Sequence, residues 1–208
     1  KKMINFSTDE VFGPAPEGIA YKEWDRYHSG NPYSATKAGA EELCVAYHNT
    51  YHVPVMTTHT MNAFRERQHD EKFVPMTIRK VLNGQFVTIH ADTTTNVSGS
   101  RFYIHADNIA DAVMFLLEKG EAGEKYNIVG EREVSNLEMA QRIAKIVRKP
   151  LSYVLTDYHL GRPGHDMRYA LCGDKMAAMG WTPPESFEDS LERTVKWTVE
   201  NNRWLLSA

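Results

Sequence analysis

Two short stretches of this 208-residue sequence carry side chains that could move protons together. The first is Tyr33-Ser34-Ala35-Thr36-Lys37. On a helix, positions four apart share a face, so the Tyr33 phenol and the Lys37 ammonium can point at one site. A phenol with an ordinary pKa near 10 serves as a base near pH 7 only after a shift of about three units, roughly 4 kcal/mol. One cation at about 4 Å supplies approximately that amount at an effective dielectric near 20. Lys37 is therefore expected to activate Tyr33, although the same spacing also arises by chance on solvated helix faces. The second stretch is Ser7-Thr8-Asp9-Glu10-Val11-Phe12-Gly13. Adjacent carboxylates suit paired acid and base work when their environments separate their pKa values. Along a regular strand Asp9 and Glu10 would face opposite sides, so both reach one site only if the strand has ended before them. Otherwise they are a solvated acidic turn.

The surrounding pattern supplies elements to position these groups. Met3–Ser7 reads as a short buried strand, and ligands in open α/β sheets sit beyond the carboxyl ends of strands, where Thr8, Asp9 and Glu10 fall. Pro32 suits a first helical position, and only Gly39 interrupts the helix formers from there to Tyr51. Further strands are expected at Val53–Thr58, Phe86–Ile89, Arg101–Ile104 and Tyr126–Ile128. Helices are expected over Phe73–Leu82, Asp107–Lys119, Ser135 to about Arg148 and Phe187–Glu200. Ser135 with Glu138 reads as a capping box, and Asp157–His165 as a polar loop. Alternation of strands and helices indicates an α/β fold with a largely parallel sheet. The chain begins inside a strand, which is expected of the later part of a longer protein.

The composition is 42% hydrophobic and 25% charged, that of an ordinary globular protein. A net charge of −3 with mixed signs argues against a general nucleic-acid binder or membrane-surface binder. Apolar runs such as Val113–Leu117 fall far short of the roughly 18–20 residues of a membrane span. Cys44 and Cys172 match no metal or redox spacing and read as reduced thiols of a cytoplasmic protein. His48 and His52 are four apart at a helix end but lack the glutamate of a zinc-protease helix, so no metal site is expected.

Taken together, four motifs in order resemble the extended short-chain dehydrogenase/reductase family, in its branch of nucleotide-sugar 4,6-dehydratases of the dTDP-glucose 4,6-dehydratase type. They are Ser7–Gly13, Asn31–Ala38, Glu71–Pro75 and Arg162–Ala170, with Gly180-Trp181-Thr182-Pro183 and the final helix also fitting. The resemblance implies part of a Rossmann-type parallel sheet with a smaller substrate-binding lobe at the C-terminal side. Residues 1–61, with 86–129, would form the NAD-binding part, and 62–85 with 130–208 the substrate lobe. It implies that Tyr33 is the base for the sugar 4-hydroxyl and that Lys37 holds the nicotinamide ribose of NAD and lowers the Tyr33 pKa. It further implies that Thr8 hydrogen-bonds the same hydroxyl, Glu10 takes the C5 proton and Asp9 protonates the departing 6-hydroxyl. Asn62, Lys72, Arg101, Arg162 and His165 would hold the nucleotide diphosphate. The family also pairs through the helix of Tyr33 and Lys37, which implies a homodimer in which Leu43, Ala46 and Tyr47 could take part.

Two departures stand out. The family's glycine-rich fingerprint, G-x-x-G-x-x-G, is absent, so the sequence holds half a cofactor site. After Asn62, Arg65 replaces a glycine, which would strain a backbone that needs positive φ. The competing readings are a nucleotide-sugar 4-epimerase of the same family, and a non-catalytic binding module that lacks half the cofactor site.

Overall fold

A computed structural model describes residues 1–158 and 167–205. Strand β1 (Met3–Thr8), β2 (Val55–Thr60) and β8 (Lys125–Ile128) form a parallel sheet in the order β1-β2-β8. Between the first two lies α1 (Pro32–Tyr51), and ahead of β8 lies α3 (Ala106–Lys119). The register pairs Met3 with Val55 and Thr8 with Thr60, so β1 and β2 end together.

A second unit is built around β4 (Val87–Asp92), which pairs in parallel with β10 (Tyr153–Asp157) and antiparallel with β5 (Val97–Ser98). Helices α2 (Phe73–Leu82), α4 (Asn136–Val147) and α6 (Phe187–Glu200) pack against one another beside it. Their buried side chains, among them Ile78, Met139, Ile143, Leu191 and Val195, form a continuous apolar core with Phe64. Each such side chain contributes roughly 1.5–3 kcal/mol of burial, which is why these amphipathic helices lie where they do. Two short ladders join the units: β3 (Ala63–Phe64) with β7 (Ile104–His105), and β6 (Ser100–Arg101) with β9 (Val134–Ser135).

The division of the chain differs from the expectation at two places. Strand β4 was expected with the first sheet but hydrogen-bonds to β10, so the segment around Val87–Ser98 belongs to the second unit. Conversely, Met176 of the short helix α5 (Asp174–Ala178) and Trp181 pack with Met56, Leu116 and Tyr126 in the core of the first sheet. The expected strand Arg101–Ile104 is two short strands, β6 and β7. The capping box expected at Ser135 is half made. Ser135 accepts the Glu138 N–H, but the Glu138 carboxylate is taken by Arg132 and Arg142. A complete box instead opens α1, where Asn31 and Ser34 satisfy each other's backbone N–H groups and Pro32 follows. His52 closes that helix in the left-handed region at φ 55°, while His48 Nδ1 lies 2.9 Å from the Val53 carbonyl, so these two histidines serve the helix end.

Candidate active site

Strand β1 stops at Thr8, and Asp9–Phe12 turns at once into one 3₁₀ turn. The alternation of strand side chains therefore ends before the acidic pair, which lets both carboxyls line the same cleft. Gly13 ends the turn at φ 76°, and a Cβ there would stand 2.4 Å from the His28 carbonyl oxygen, so no other residue fits. The cleft, about 320 Å³, is lined by Thr8, Asp9, Glu10 and Tyr33 from the first unit and by Asn62 and Lys72 from the segment leading into the second. Six of the expected site residues thus converge. A larger cleft of about 620 Å³ lies elsewhere, beside Phe102, Val129 and Trp181, but its one ionisable lining side chain is Glu131, whose carboxylate accepts the Phe187 N–H.

The two carboxyls sit in different surroundings. Asp9 is buried, and burial pushes its carboxyl up to about 6; the Arg101 charge and the Thr8 hydroxyl pull it back only in part, and Glu10 adds to the rise. Thr8 donates to Asp9 Oδ1 at 3.0 Å, and Asp9 Oδ2 has no hydrogen-bond partner among the described residues. Glu10 is half-buried and accepts the Asn31 side-chain amide at 3.0 Å. Asn31, the N-cap of α1, was not foreseen as a site residue. Its signal was the Asn-Pro pair that opens the helix.

Tyr33, at the first turn of α1, lines the cleft together with Thr8. Its phenol is raised above the ordinary tyrosine value by burial first and then by the Glu10 and Asp9 charges, with Thr8 opposing. The expectation that Lys37 lowers it is not met in this structure. The Lys37 ammonium donates to the Phe6 carbonyl at 2.5 Å, and it is the two carboxylates that face the phenol. Lys37 stands beside the cleft rather than in its lining.

The anion-binding set is divided. Asn62 and Lys72 line the cleft, the latter as the N-cap of α2 with no side-chain cap bond. Arg101 does not line it. Its guanidinium donates to the Ser100 and Met167 carbonyls at 2.6 and 2.7 Å and lies over the Tyr169 ring, so it ties strand β6 to the returning chain. Arg162 and His165 lie outside the described residues. Arg65 is not in the left-handed region; Arg67 takes that conformation at φ 63°, and the loop after Asn62 turns there instead. Gln68 and Tyr103, not anticipated from the sequence, also line the cleft. Among the described residues, His105, Asp107 and Glu185 bring potential metal-ligand atoms within 4.8 Å of one another, but the Arg193 guanidinium reaches Glu185 at 2.7 Å and Asp107 at 3.4 Å and supplies their countercharge. Both cysteines are free. No helix among the described residues is long and apolar enough to cross a membrane.

A parallel sheet whose strand ends carry an acidic turn, facing a helix that opens on a tyrosine, defines an NAD-dehydratase-like α/β fold. Residues 1–194 match the GDP-mannose 4,6 dehydratase family, and the chain belongs to that family. It is 38% identical to the low-salt glycan biosynthesis protein Agl12 of Haloferax volcanii over 94% of this chain and 61% of that protein. It is 36% identical to dTDP-glucose 4,6-dehydratase of Haemophilus influenzae, over 97% of this chain and 62% of the relative. The crystal structure of dTDP-glucose 4,6-dehydratase from Bacillus anthracis in complex with NAD superposes with a TM-score of 0.87 at 32% identity, covering 98% of this chain and 63% of that one. The chain thus spans about three fifths of the length of these relatives.

Proposed function

We propose that this chain carries the acid–base part of an NAD-dependent nucleotide-sugar 4,6-dehydratase. Its substrate would be a nucleoside-diphosphate hexose of the dTDP-glucose kind, and its product the 4-keto-6-deoxy sugar. The observation that carries the reading is the convergence of Asp9, Glu10, Thr8 and Tyr33 on one cleft, with Asp9 held near pKa 6. An acid that stays protonated close to neutral pH beside a second carboxylate is what loss of a 6-hydroxyl needs, whereas inversion at C4 needs no such acid.

The residues fit the nicotinamide-ribose end of NAD. Tyr33 offers a hydroxyl in the cleft, and Lys37, one turn further along α1, holds an ammonium against the Phe6 carbonyl of β1. The pyrophosphate end requires close backbone approach at a glycine-rich turn, which this sequence does not contain, so we assign that part to a further segment or chain. NAD, when bound, would supply a reversible hydride acceptor beside the sugar, with Tyr33 and Lys37 holding its nicotinamide ribose. We assign to Tyr33 the proton of the sugar 4-hydroxyl and to Thr8 a hydrogen bond to the same oxygen. The role of Tyr33 requires the positive nicotinamide of bound NAD to offset the burial and carboxylates that raise its phenol here. With C4 a ketone, the C5 proton becomes acidic and passes to Glu10, which the Asn31 amide holds in place. Asp9 gives its proton to the departing 6-hydroxyl, water leaves, and Glu10 returns its proton to C5 once C6 has received hydride. Lys72 puts a cation at the N-terminus of α2, an electrostatically poor place that a bound diphosphate turns into a good one. We assign Asn62 to the same task, with Arg162 and His165 as further candidates from the sequence. We also infer pairing with a second copy through the outer face of α1.

The test is product analysis with NAD and a nucleoside-diphosphate hexose, the chain being supplied with a glycine-rich cofactor-binding segment. Glu10→Gln is expected to lower conversion by about 10²-fold or more, the usual contribution of a positioned base. Conversion at the wild-type rate, or a product inverted at C4 with no loss of water, overturns the reading.

A further inference from the structure

Helix α1 carries Tyr33 and Lys37, yet of its 20 residues only Ser34 and Glu41 are buried. Apolar packing is therefore a small part of what fixes this helix on the sheet, with Ala38 reaching a buried apolar cluster. Ser34 is used within the helix cap. Glu41 is different: it lies two turns beyond Tyr33, fully buried, with polar partners on three strands and one loop of the first unit. One carboxylate oxygen accepts the Ser7 hydroxyl, from the residue immediately before Thr8 on β1. The other accepts the Tyr27 hydroxyl, meets His59 Nε2 of β2 at 2.9 Å, and lies 3.3 Å from the Lys125 ammonium of β8.

The charge of this cluster follows from its hydrogen bonds. The Asn127 amide donates to the Tyr21 and Cys172 carbonyls at 3.0 and 3.1 Å, so its oxygen is the atom that faces His59 Nδ1 at 2.9 Å. Both His59 ring nitrogens then face oxygen atoms of Asn127 and Glu41. Glu41 is an anion beside the Lys125 ammonium. Burial alone would raise its carboxyl, but His59, Ser7 and Tyr27 hold it down at about 2. A buried charge with four partners in fixed directions permits little sliding of the helix, because any shift leaves a desolvated group unpaired.

We propose that Glu41 is a positioning residue: by gripping Ser7 on β1 while anchored to β2 and β8, it sets the distance at which Tyr33 meets Thr8. The inference deepens the proposed function, since it rests on reading Tyr33 and Thr8 as the proton-transfer pair. Its test reads their separation directly and needs no turnover, so failure of the dehydratase assay leaves it separately decidable.

In the 208-residue chain, the nuclear Overhauser cross-peak between the Tyr33 ring and the Thr8 methyl group reports that separation at neutral pH. Ser7→Ala removes the grip on β1 but leaves Glu41, His59 and Lys125 themselves in place. A cooperative thermal transition at a lower temperature than the wild type is expected, since one oxygen of buried Glu41 loses its donor, together with loss of the cross-peak. Ser7→Thr, which keeps the hydroxyl, is expected to retain it. Glu41→Gln is expected to lose it as well, and if that variant does not fold, the Ser7 pair decides. An unchanged cross-peak in folded Ser7→Ala overturns the proposal. Equal loss in Ser7→Thr assigns the effect to packing and overturns it too.

Discussion

Burial separates Asp9 from its neighbour Glu10, and the separation has a cost in stability that can be measured. The Asp9 carboxyl is raised from 3.8 to about 6 in the folded chain, chiefly by desolvation. The folded state therefore holds this proton more tightly than the unfolded state does. Below about pH 4 both states are protonated and the site is unstrained. As pH rises through 6 the folded state must bury an anion, and stability falls by about 3 kcal/mol for a shift of roughly two units. Asp9→Asn, which is neutral at every pH, is expected to be more stable than the wild type at pH 8 by up to that amount. Its advantage should vanish below pH 4. Urea unfolding at a series of pH values checks both the sign and the window. The same substitution removes the proton that the proposed reaction gives to the 6-hydroxyl, so the more stable variant is expected to be the inactive one. Such a strained carboxyl, kept where apolar surroundings disfavour it, is what a working acid group requires.

At the scale of elements, α1 is the decisive one, and its weak points are local. Asn31 accepts the Ser34 N–H as N-cap and donates to Glu10. Asn31→Ala is expected to cost about 1–2 kcal/mol in chemical denaturation, the usual loss of a cap, and also to release Glu10. Gly39 sits inside the helix with nothing within 4 Å of where a Cβ would be. Gly39→Ala should therefore stabilise the chain by roughly 0.5–1 kcal/mol, measured the same way. The extents of α1, α2 and α6 were legible because Pro32, Asn83-Gly84 and the amphipathic spacing of Phe187–Glu200 are local signals. The convergence of Thr8, Asp9 and Tyr33 was legible as well, since a strand end and a helix start carry it. Strand β10 was not: Tyr153–Asp157 is half-exposed, and its place is set by pairing with Val87–Ala91, more than sixty residues away in sequence. Nor was the Glu41 cluster, because a glutamate among Ala38, Gly39, Ala40 and Glu42 reads as a solvated face. Its burial is decided by His59 and Lys125, which sequence spacing does not bring near. The contact of Arg101 with the Met167 carbonyl was not legible either, since it joins residues more than sixty positions apart.

At the scale of the whole molecule, the first sheet ends in β1, whose outer edge is not paired with a further strand among the described residues. Met3 and Phe6 are each about half exposed there. On the outer face of α1, Leu43, Tyr47 and Tyr51 follow one another at four-residue spacing and are 62, 53 and 69% exposed. Both are surfaces on which a chain can associate, but they predict different behaviour. An open edge offers a ladder of unpaired N–H and C=O groups and recruits without limit. A helix face pairs with its own copy about a two-fold axis and stops at two. Burying Leu43 and Tyr47 in such a pair would contribute roughly 1.5–3 kcal/mol per side chain. The 208-residue chain is accordingly expected to sediment as a dimer. Leu43→Lys with Tyr47→Lys should weaken that dimer by about a hundredfold or more, since each 1.4 kcal/mol is a factor of ten. Folding stability should hardly change, because neither side chain is buried within one chain. Phe6→Lys should leave the dimer intact and reduce only larger aggregates at high concentration. If Phe6→Lys instead dissolves the dimer and the α1 variant leaves it whole, association runs through the sheet edge, and the pairing proposed for α1 is wrong.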